Sequence, residues 1–405
     1  MISVKEATEK ILSCEVNLKT VRVSILDSLG KILAENITAS ESIPAYDNSA
    51  MDGFAVRSVD IIGADKNYPV RLRLLREDIP AGKVPGVVIE SGTAVQIMTG
   101  AALPEGCDCV VAKEDALKEG KDVFIFSEIK KGGNIRHKGE DIKSGSIIVR
   151  KGSRIFPGVI GVLASIGVEN ILVYKTPVVG ILATGDELVY INDSLSVGKV
   201  RDSNSYSLAS LCREIMIEYK LFGIVKDDRD VIREKILEAL KNCDILLLTG
   251  GVSVGDYDFV KEILDDIGAD FIFWRVNQRP GKPVAFLTYG DKFIFGLPGN
   301  PVSVMVCFEV YVRPLIKKMS GDSDLFRKKI RATSLEEYGH QHGRTDFIRV
   351  KIEKTDEGYC FRSTGMQGSG ILTSMVEADG LAVFSETEEL IEAGKTIDVI
   401  LLKDI

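Results

Sequence analysis

From Pro177 onward the sequence alternates short apolar runs with amphipathic segments, and this alternation constrains the fold more than any other feature. The runs at 178–183, 220–225, 245–249 and 292–296 read as strands, that of Ile245 to Leu248 as one buried on both faces. The segments 205–217, 229–240, 258–267 and 301–319 carry a helical period. Strand and helix in strict succession predict a parallel sheet with helices on both faces. The polar motifs then fall where strands give way to helices. Thr184-Gly185-Asp186-Glu187 follows the first strand, Asp227-Asp228 the second, Gly250 to Asp258 the third, and LPGNPVS (Leu297 to Ser303) a later one. Asp202-Ser203-Asn204 precedes the first helix and can cap it. That carboxyl edge is where open α/β sheets bind ligands.

The third of these loops is the most informative. Residues 244–258 read DILLLTGGVSVGDYD: an apolar run stops at Thr249-Gly250-Gly251, Gly255 follows, and a helical pattern begins near Asp258. Strand, glycine loop and helix bring backbone N–H groups to an anion at a helix start. Asp256 and Asp258 stand in the same loop, and two carboxylates repel a phosphate unless a divalent cation lies between. The loop therefore suggests a phosphate-bearing ligand with a hard metal ion; the competing reading is a tight turn with Asp258 as a helix cap. Neither the Rossmann nor the Walker fingerprint is present. RVNQRPGKPVAF adds Arg275, Arg279 and Lys282, cations suited to phosphate or an oxyanion, with Lys282 held in a rigid Pro-Gly-Lys-Pro run.

The rest of the chain flanks this region with β-rich pieces. Residues 3–13 read as a helix with a Ser3/Glu6 capping box, and 21–39 as strand, turn, strand around Leu29-Gly30-Lys31. SIPAYDNSAMDGFAVR (42–57) mixes turn-forming and polar residues with Met51, Phe54 and Val56. It reads as a packed loop and a site candidate, or as an elaborate interdomain turn. Residues 68–128 lack helical period and form a small β module. The loop GGNIRHKGEDI follows, then a helix at 157–166 and a strand at 170–174. Helix and strand on both sides of the module suggest an insertion into a discontinuous domain. Residues 325–405 return to strands around glycine turns. The expected division is 1–47 with 143–175 as an N-terminal α+β domain, 48–142 as an inserted β domain, 176–322 as the α/β domain and 323–405 as a C-terminal β barrel. A chain of 405 residues has room for about two to four domains.

Composition narrows the partners. A net charge of −8 argues against a general nucleic-acid binder. No apolar run approaches the roughly 20 residues of a membrane span, and the first residues lack a signal-peptide core. Seven scattered cysteines without a CxxC read as reduced thiols, so a cytoplasmic protein is expected. Cys107 and Cys109 are too close together for usual zinc spacing and read as small buried residues. With three histidines (His137, His340, His342), a Ser-His-Asp or histidine-rich metal site is disfavoured, and His340 and His342 read as loop polar residues.

Taken in order, NSAMDGFAVR, IMTGAALPEG, RHKGEDI, TGDEL, TGGVSVGDYD, PGKPVAF and LPGNPVS resemble the MoeA-type molybdopterin molybdenumtransferases, the family that includes the E domain of gephyrin. The resemblance extends over essentially the whole chain. It implies an elongated four-domain protomer whose doubly wound α/β domain is MogA-like. It also implies a homodimer whose cleft combines the α/β domain of one subunit with N-terminal parts of the other. The implied reaction consumes adenylylated molybdopterin and molybdate or tungstate, uses Mg²⁺, inserts the metal into the dithiolene and releases AMP. A MogA-type adenylyltransferase is an implied partner.

The family's functional positions fall on Asp52, Thr99, Asp141, Glu187, Asp227 and Asp258, its cations on Arg275, Arg279 and Lys282, and its rigid turn on Pro298 and Pro301. Many bacterial members carry lysine at the positions of Arg275 and Arg279; arginine keeps the charge and offers two hydrogen bonds to an oxyanion. On this basis Glu187, Asp227, Asp256 and Asp258 are the expected metal ligands. Thr184, Gly185, Asp202, Ser203, Asn204, Gly250, Gly251 and Ser253 are expected at the substrate, with Asp52 and Asp141 reaching the site from the partner subunit. Two rival functions carry over from the same resemblance. One is a molybdopterin adenylyltransferase, against which the flanking domains argue; the other is a non-catalytic scaffold of the gephyrin type.

Overall fold

The computed structural model describes residues 1–250, 259–339 and 342–405. The chain forms two compact units, one of residues 1–22, 30–34 and 172–405, the other of residues 23–29 and 35–171. It opens on helix α1 (Val4–Ser13), whose start is fixed by the Ser3 hydroxyl accepting the Glu6 N–H at 3.1 Å.

The unit at 23–29 and 35–171 is built on six strands: β1 (Gly53–Val56), β2 (Val70–Ile79), β3 (Thr93–Ile97), β4 (Cys109–Ala112), β5 (Ala116–Glu119) and β6 (Asp122–Ile125). Their order is β4-β1-β3-β2-β6-β5, with β2 and β3 the one parallel pair among the described residues. Phe54 and Val56 pack with Leu72, Val111 and Val123 on one face. Ala55 packs with Ile79, Val95, Ile97 and Val110 on the other. Side chains alternate along a strand, so a strand covered on both faces is buried at every position, and β1 is. The polar segment 42–57 thus feeds directly into a central strand. Gly53 is required there: a Cβ would lie 1.9 Å from the Val111 carbonyl oxygen of β4. Cys107 donates to the Cys109 carbonyl at 3.2 Å, and burial pushes its thiol up to about 11 and that of Cys109 to about 12. Helix α2 (Pro157–Ser165) also belongs to this unit.

The other unit carries the α/β sheet. Its elements are β7 (Val179–Thr184), α3 (Asn204–Glu214), β8 (Tyr219–Val225), α4 (Arg229–Asn242), β9 (Ile245–Thr249), α5 (Phe259–Asp266), β10 (Asp270–Phe273), β11 (Gln278–Arg279), β12 (Ala285–Tyr289) and β13 (Lys292–Leu297). The sheet order is β8-β7-β9-β13-β12-β10. The first four strands are parallel; β12 and β10 extend the sheet antiparallel. Ile181, Leu247 and Phe295 face α3 and the helix that follows β13, while Leu182, Leu248 and Ile294 face α4 and α5. The strand–helix alternation predicts the parallel core. It does not reveal β10 and β12, which follow one another without an intervening helical pattern.

The predicted helix 301–319 is interrupted. It runs as α6 (Pro301–Cys307), a π-helical turn (Phe308–Val312) and α7 (Arg313–Met319). Pro314 has no N–H to return to Val310, and the Arg313 N–H reaches back five residues to the Phe308 carbonyl instead. The C-terminal strands β14 (Lys329–Ser334), β15 (Thr345–Thr355), β16 (Gly358–Ser363), β17 (Gly380–Phe384) and β18 (Thr396–Leu401) close into a five-stranded barrel, β17 pairing back onto β15. Val350, Phe361, Ala382, Phe384 and Val399 fill it. The short strand β11 joins the start of β15, Gln278 opposite Thr345 and Arg279 opposite Asp346. Among the described residues no helix is long and apolar enough to cross a membrane.

Candidate functional site

The parallel strands end level. Thr184 pairs with Val225, Ala183 with Thr249, and Thr249 with Leu297. The chain leaves β7 for β8 on one side and returns to β9 on the other, so the crevice between the carboxyl ends of β7 and β9 is the switch point of the sheet. Gly250, at φ +83°, turns so tightly against β7 that a Cβ would stand 2.1 Å from the Thr184 carbonyl oxygen. The hydroxyls of Thr184 and Thr249, both 1% exposed, have no hydrogen-bond partner among the described residues, and neither has Asn204 Oδ1. Buried polar atoms are normally paired; the two threonine hydroxyls at this crevice offer hydrogen bonds to polar ligand atoms, and Asn204 Oδ1 is a third such atom, on a side chain tied to the turn after β13. Nothing in the sequence marks Thr249 as a site residue, because it reads as the last residue of an apolar strand.

Carboxylates line this edge. The Asp186 N–H donates to Asp227 Oδ2 and the Asp227 N–H to Asp186 Oδ1, each at 3.3 Å, which holds the two loops together with both side chains exposed. Lys199 Nζ donates to the Asp186 carbonyl at 2.5 Å and leaves the carboxylate alone. The exposed Glu187 curls back over Gly185, where a Cβ would lie 2.4 Å from its Oε2. Capping falls to other acids: Asp202 accepts the Ser205 N–H at 3.0 Å, and Asp228 accepts those of Asp230 and Val231 at 3.0 and 3.1 Å. Ser203 precedes α3 without a side-chain cap bond. Gly251, Ser253, Asp256 and Asp258 lie outside the described residues, as does His340. No group of three or more His, Cys, Asp or Glu suited to a metal ion is assembled among the described residues.

A second cluster is cationic. The turn 279–282 displays exposed Arg279 and Lys282, while Arg275 is half-buried. The structure adds Arg349 to these. It lies on β15 at 1% exposure, donating from Nε to Ser374 Oγ and from Nη2 to the Gly368 carbonyl, each at 3.2 Å. No carboxylate lies against it among the described residues, and burial, with nearby Arg279, holds its guanidinium down to about 10. A buried cation without an anion is costly unless a ligand supplies the charge. The sequence gives little sign of it, because alternation in DFIRVKI places Arg349 opposite Ile348 and Val350, where a solvent-facing arginine is ordinary.

The turn between β13 and α6 connects the two clusters. Asn204 Nδ2 donates to the Gly299 carbonyl at 2.8 Å, and the Val302 N–H to the Ser369 carbonyl at 3.2 Å. Pro298, which is buried, and Pro301, half-buried and the first residue of α6, stiffen it.

In the other unit Asp52 and Thr99 are brought together. Asp52 Oδ1 accepts the Thr99 N–H at 2.8 Å and its hydroxyl at 2.7 Å. These donors, the backbone one foremost, hold the Asp52 carboxyl below the usual range. Asp52 lines a cavity of about 400 Å³ with Gln96, Lys113 and Lys118. Asp141 is exposed in the 139–142 turn, its N–H donating to the Ile43 carbonyl at 3.1 Å, and it shares no hydrogen bond with Asp52 or Thr99.

The chain is similar to known proteins over its whole length. Three family profiles match: MoeA N-terminal region (domain I and II) over residues 2–167, probable molybdopterin binding domain over 180–318, and MoeA C-terminal region (domain IV) over 331–402. A molybdopterin molybdenumtransferase of Staphylococcus aureus is 36% identical over 400 residues, covering 99% of this chain and 95% of that protein. One of Staphylococcus epidermidis matches to the same extent, 36% identical over 99% and 95%. The crystal structure of a molybdopterin biosynthesis MoeA protein from Pyrococcus horikoshii superposes with a TM-score of 0.84 at 28% identity, over 100% of both chains.

Proposed function

Since the chain belongs to the MoeA family and is a transferase of molybdenum cofactor biosynthesis, we propose that it inserts molybdenum or tungsten from the tetrahedral oxyanion into adenylylated molybdopterin and releases AMP. The observation that carries this reading is the pairing, within one unit, of an acidic sheet edge with an uncompensated buried cation.

The two clusters suit the two substrates. The crevice at Gly250, with the unpartnered Thr184, Thr249 and Asn204 atoms, receives the pterin and its phosphates. We assign Gly185, Asp202, Ser203, Gly251 and Ser253 to the same substrate. Arg349, Arg279 and Lys282 hold the oxyanion, whose two charges supply what Arg349 lacks, and Arg275 supports the same turn. Pro298 and Pro301 keep the two clusters in register.

Glu187 and Asp227 are exposed oxygen donors on adjacent loops with no lysine or arginine bonded to their carboxylates among the described residues, a donor set that fits a hard cation. They, with Asp256 and Asp258, would hold Mg²⁺. Bound there, the ion would neutralise charge on the pyrophosphate. The chain's own part is to align the phosphorus for attack and to keep the dithiolene sulfurs facing the oxyanion. We further propose a homodimer in which Asp52, Thr99 and Asp141 of one subunit face the cleft of the other, and a MogA-type adenylyltransferase that supplies the nucleotide substrate.

Purified protein given adenylylated molybdopterin and Mg²⁺ should release AMP with molybdate or tungstate and not without them. Oxyanion-independent release, or none from folded protein, would overturn the assignment. Sedimentation of the same preparation tests the dimer.

A further inference from the structure

Behind the Arg279–Lys282 turn lies a buried polar chain. Gln278 is 2% exposed, and Cys307 and Tyr311 are 0% exposed. The Tyr311 hydroxyl donates to Gln278 Oε1. Gln278 Nε2 donates to the Pro280 carbonyl at 2.9 Å and meets Cys307 Sγ at 3.6 Å. The Cys307 thiol donates to the Gly281 carbonyl at 3.7 Å. Both carbonyls at the tip of the turn are therefore tied to helix residues, Cys307 ending α6 and Tyr311 sitting in the π turn.

The chain has a direction. Burial holds the Tyr311 phenol well above its ordinary range, so it remains a neutral donor. A donor at Oε1 decides which end of the Gln278 amide faces Pro280. The contact is tight: a Cβ on Gly281, at φ +97°, would stand 2.6 Å from both Cys307 Sγ and Gln278 Nε2. Pro280 and Pro283 provide no N–H groups of their own; the Lys282 carbonyl accepts the Val276 N–H at 3.1 Å and the Val284 N–H at 3.0 Å, which leaves the Pro280 and Gly281 carbonyls to the buried polar chain.

We propose that Tyr311, acting through Gln278, is a positioning residue that fixes the separation of Arg279 and Lys282 and so the size of tetrahedral oxyanion the turn accepts. The proposal rests on reading Arg279 and Lys282 as oxyanion-holding groups. Sulfate and molybdate carry the same charge and differ in radius, so charge alone cannot separate them. Discrimination falls to the spacing of the donors, and a spacing discriminates only if the backbone bearing it is rigid. Arg279 is anchored on one side by β11 pairing with β15; the Tyr311–Gln278–Pro280 chain anchors the other.

The test is Tyr311→Phe, which removes one hydroxyl and keeps the ring. Molybdate affinity, read by titration calorimetry, should fall about fivefold to tenfold, the worth of one buried hydrogen bond. The KM for adenylylated molybdopterin in AMP release should stay within about twofold. Sulfate should inhibit at lower concentration than in the parent. Unchanged molybdate affinity, or both constants rising in parallel as in a general loss of structure, would overturn the proposal. Cys307→Ala, which leaves the Tyr311–Gln278 bond in place, should give the same split in smaller measure; if Tyr311→Phe does not fold, Gln278→Met, which removes both the acceptor of the Tyr311 hydroxyl and the donor to Pro280, decides the matter by the same split. Arg279→Ala separates the two levels. If it leaves molybdate binding intact, the reading of the turn fails and the proposal with it. If it weakens binding while Tyr311→Phe and Cys307→Ala do not, only the positioning role falls.

Discussion

Two charged side chains illustrate how burial and partners separate chemistry from architecture. Asp52 is held ionised by two donors from Thr99. Because its folded pKa is depressed, this interaction is complete above the ordinary aspartate value of about 4 and is lost as pH falls through the lower folded value. Asp52→Asn should slow AMP release by about a hundredfold or more while the melting temperature stays close to the parent's. A break in the kcat/KM profile between roughly pH 5 and 8 that disappears in Asp52→Asn would contradict this assignment. Arg349 is the opposite case, a cation buried without an anion. Arg349→Met should leave stability within about 1 kcal/mol of the parent, since replacing an uncompensated charge by an apolar side chain relieves as much as it removes. The same change should weaken molybdate binding by about 2–5 kcal/mol. Chemical denaturation and calorimetry on one preparation read both.

At the scale of elements, neighbouring residues divide the work. Asp228 caps α4 through two N–H groups, whereas Asp227 turns to the sheet edge and meets Asp186. Asp228→Ala should lower stability by about 1 kcal/mol and leave oxyanion-dependent AMP release unchanged. Asp227→Asn should do the reverse, because an amide oxygen still accepts the Asp186 N–H but loses the charge. Equal effects of the two on activity would mean that the loop acts as one structural piece.

The elements also show what a sequence reveals. The parallel strands β7, β8, β9 and β13 were legible because each is a short apolar run followed by a helical period, and their loops were legible because polar motifs interrupt that rhythm. The antiparallel β10 and β12 were not, since no helix separates them, nor was the π turn, which answers to Pro314 and leaves the apolar pattern intact. Segment 42–57 reads as a packed loop or an interdomain turn; its central strand is hidden because β1 is buried on both faces and shows no alternation.

At the scale of the whole molecule, carboxylates and cations were readable as motifs, but their grouping was not. Asp52 with Thr99, and Arg279 with Arg349, are separated by long stretches of chain and come together through strand pairing. Arg349 in particular has nothing in its local sequence to mark it, because burial of a strand residue depends on what covers that face. A net charge of −8 likewise conceals the cationic cluster that an anionic substrate needs.

The closed barrel has a further consequence. It has no free edge along which to open gradually, and its strand β15 carries the buried Arg349, the charge that the proposed oxyanion would compensate. Binding to the folded form alone shifts the folding equilibrium, by about 2.7 kcal/mol at a hundred times the dissociation constant. Molybdate without any pterin should therefore raise the melting temperature, and should fail to do so in Arg349→Met. The molecule's lifetime, and not only its turnover, would then follow the supply of the metal it handles, with scarcity of the oxyanion leaving a pool of protein that unfolds and is cleared sooner.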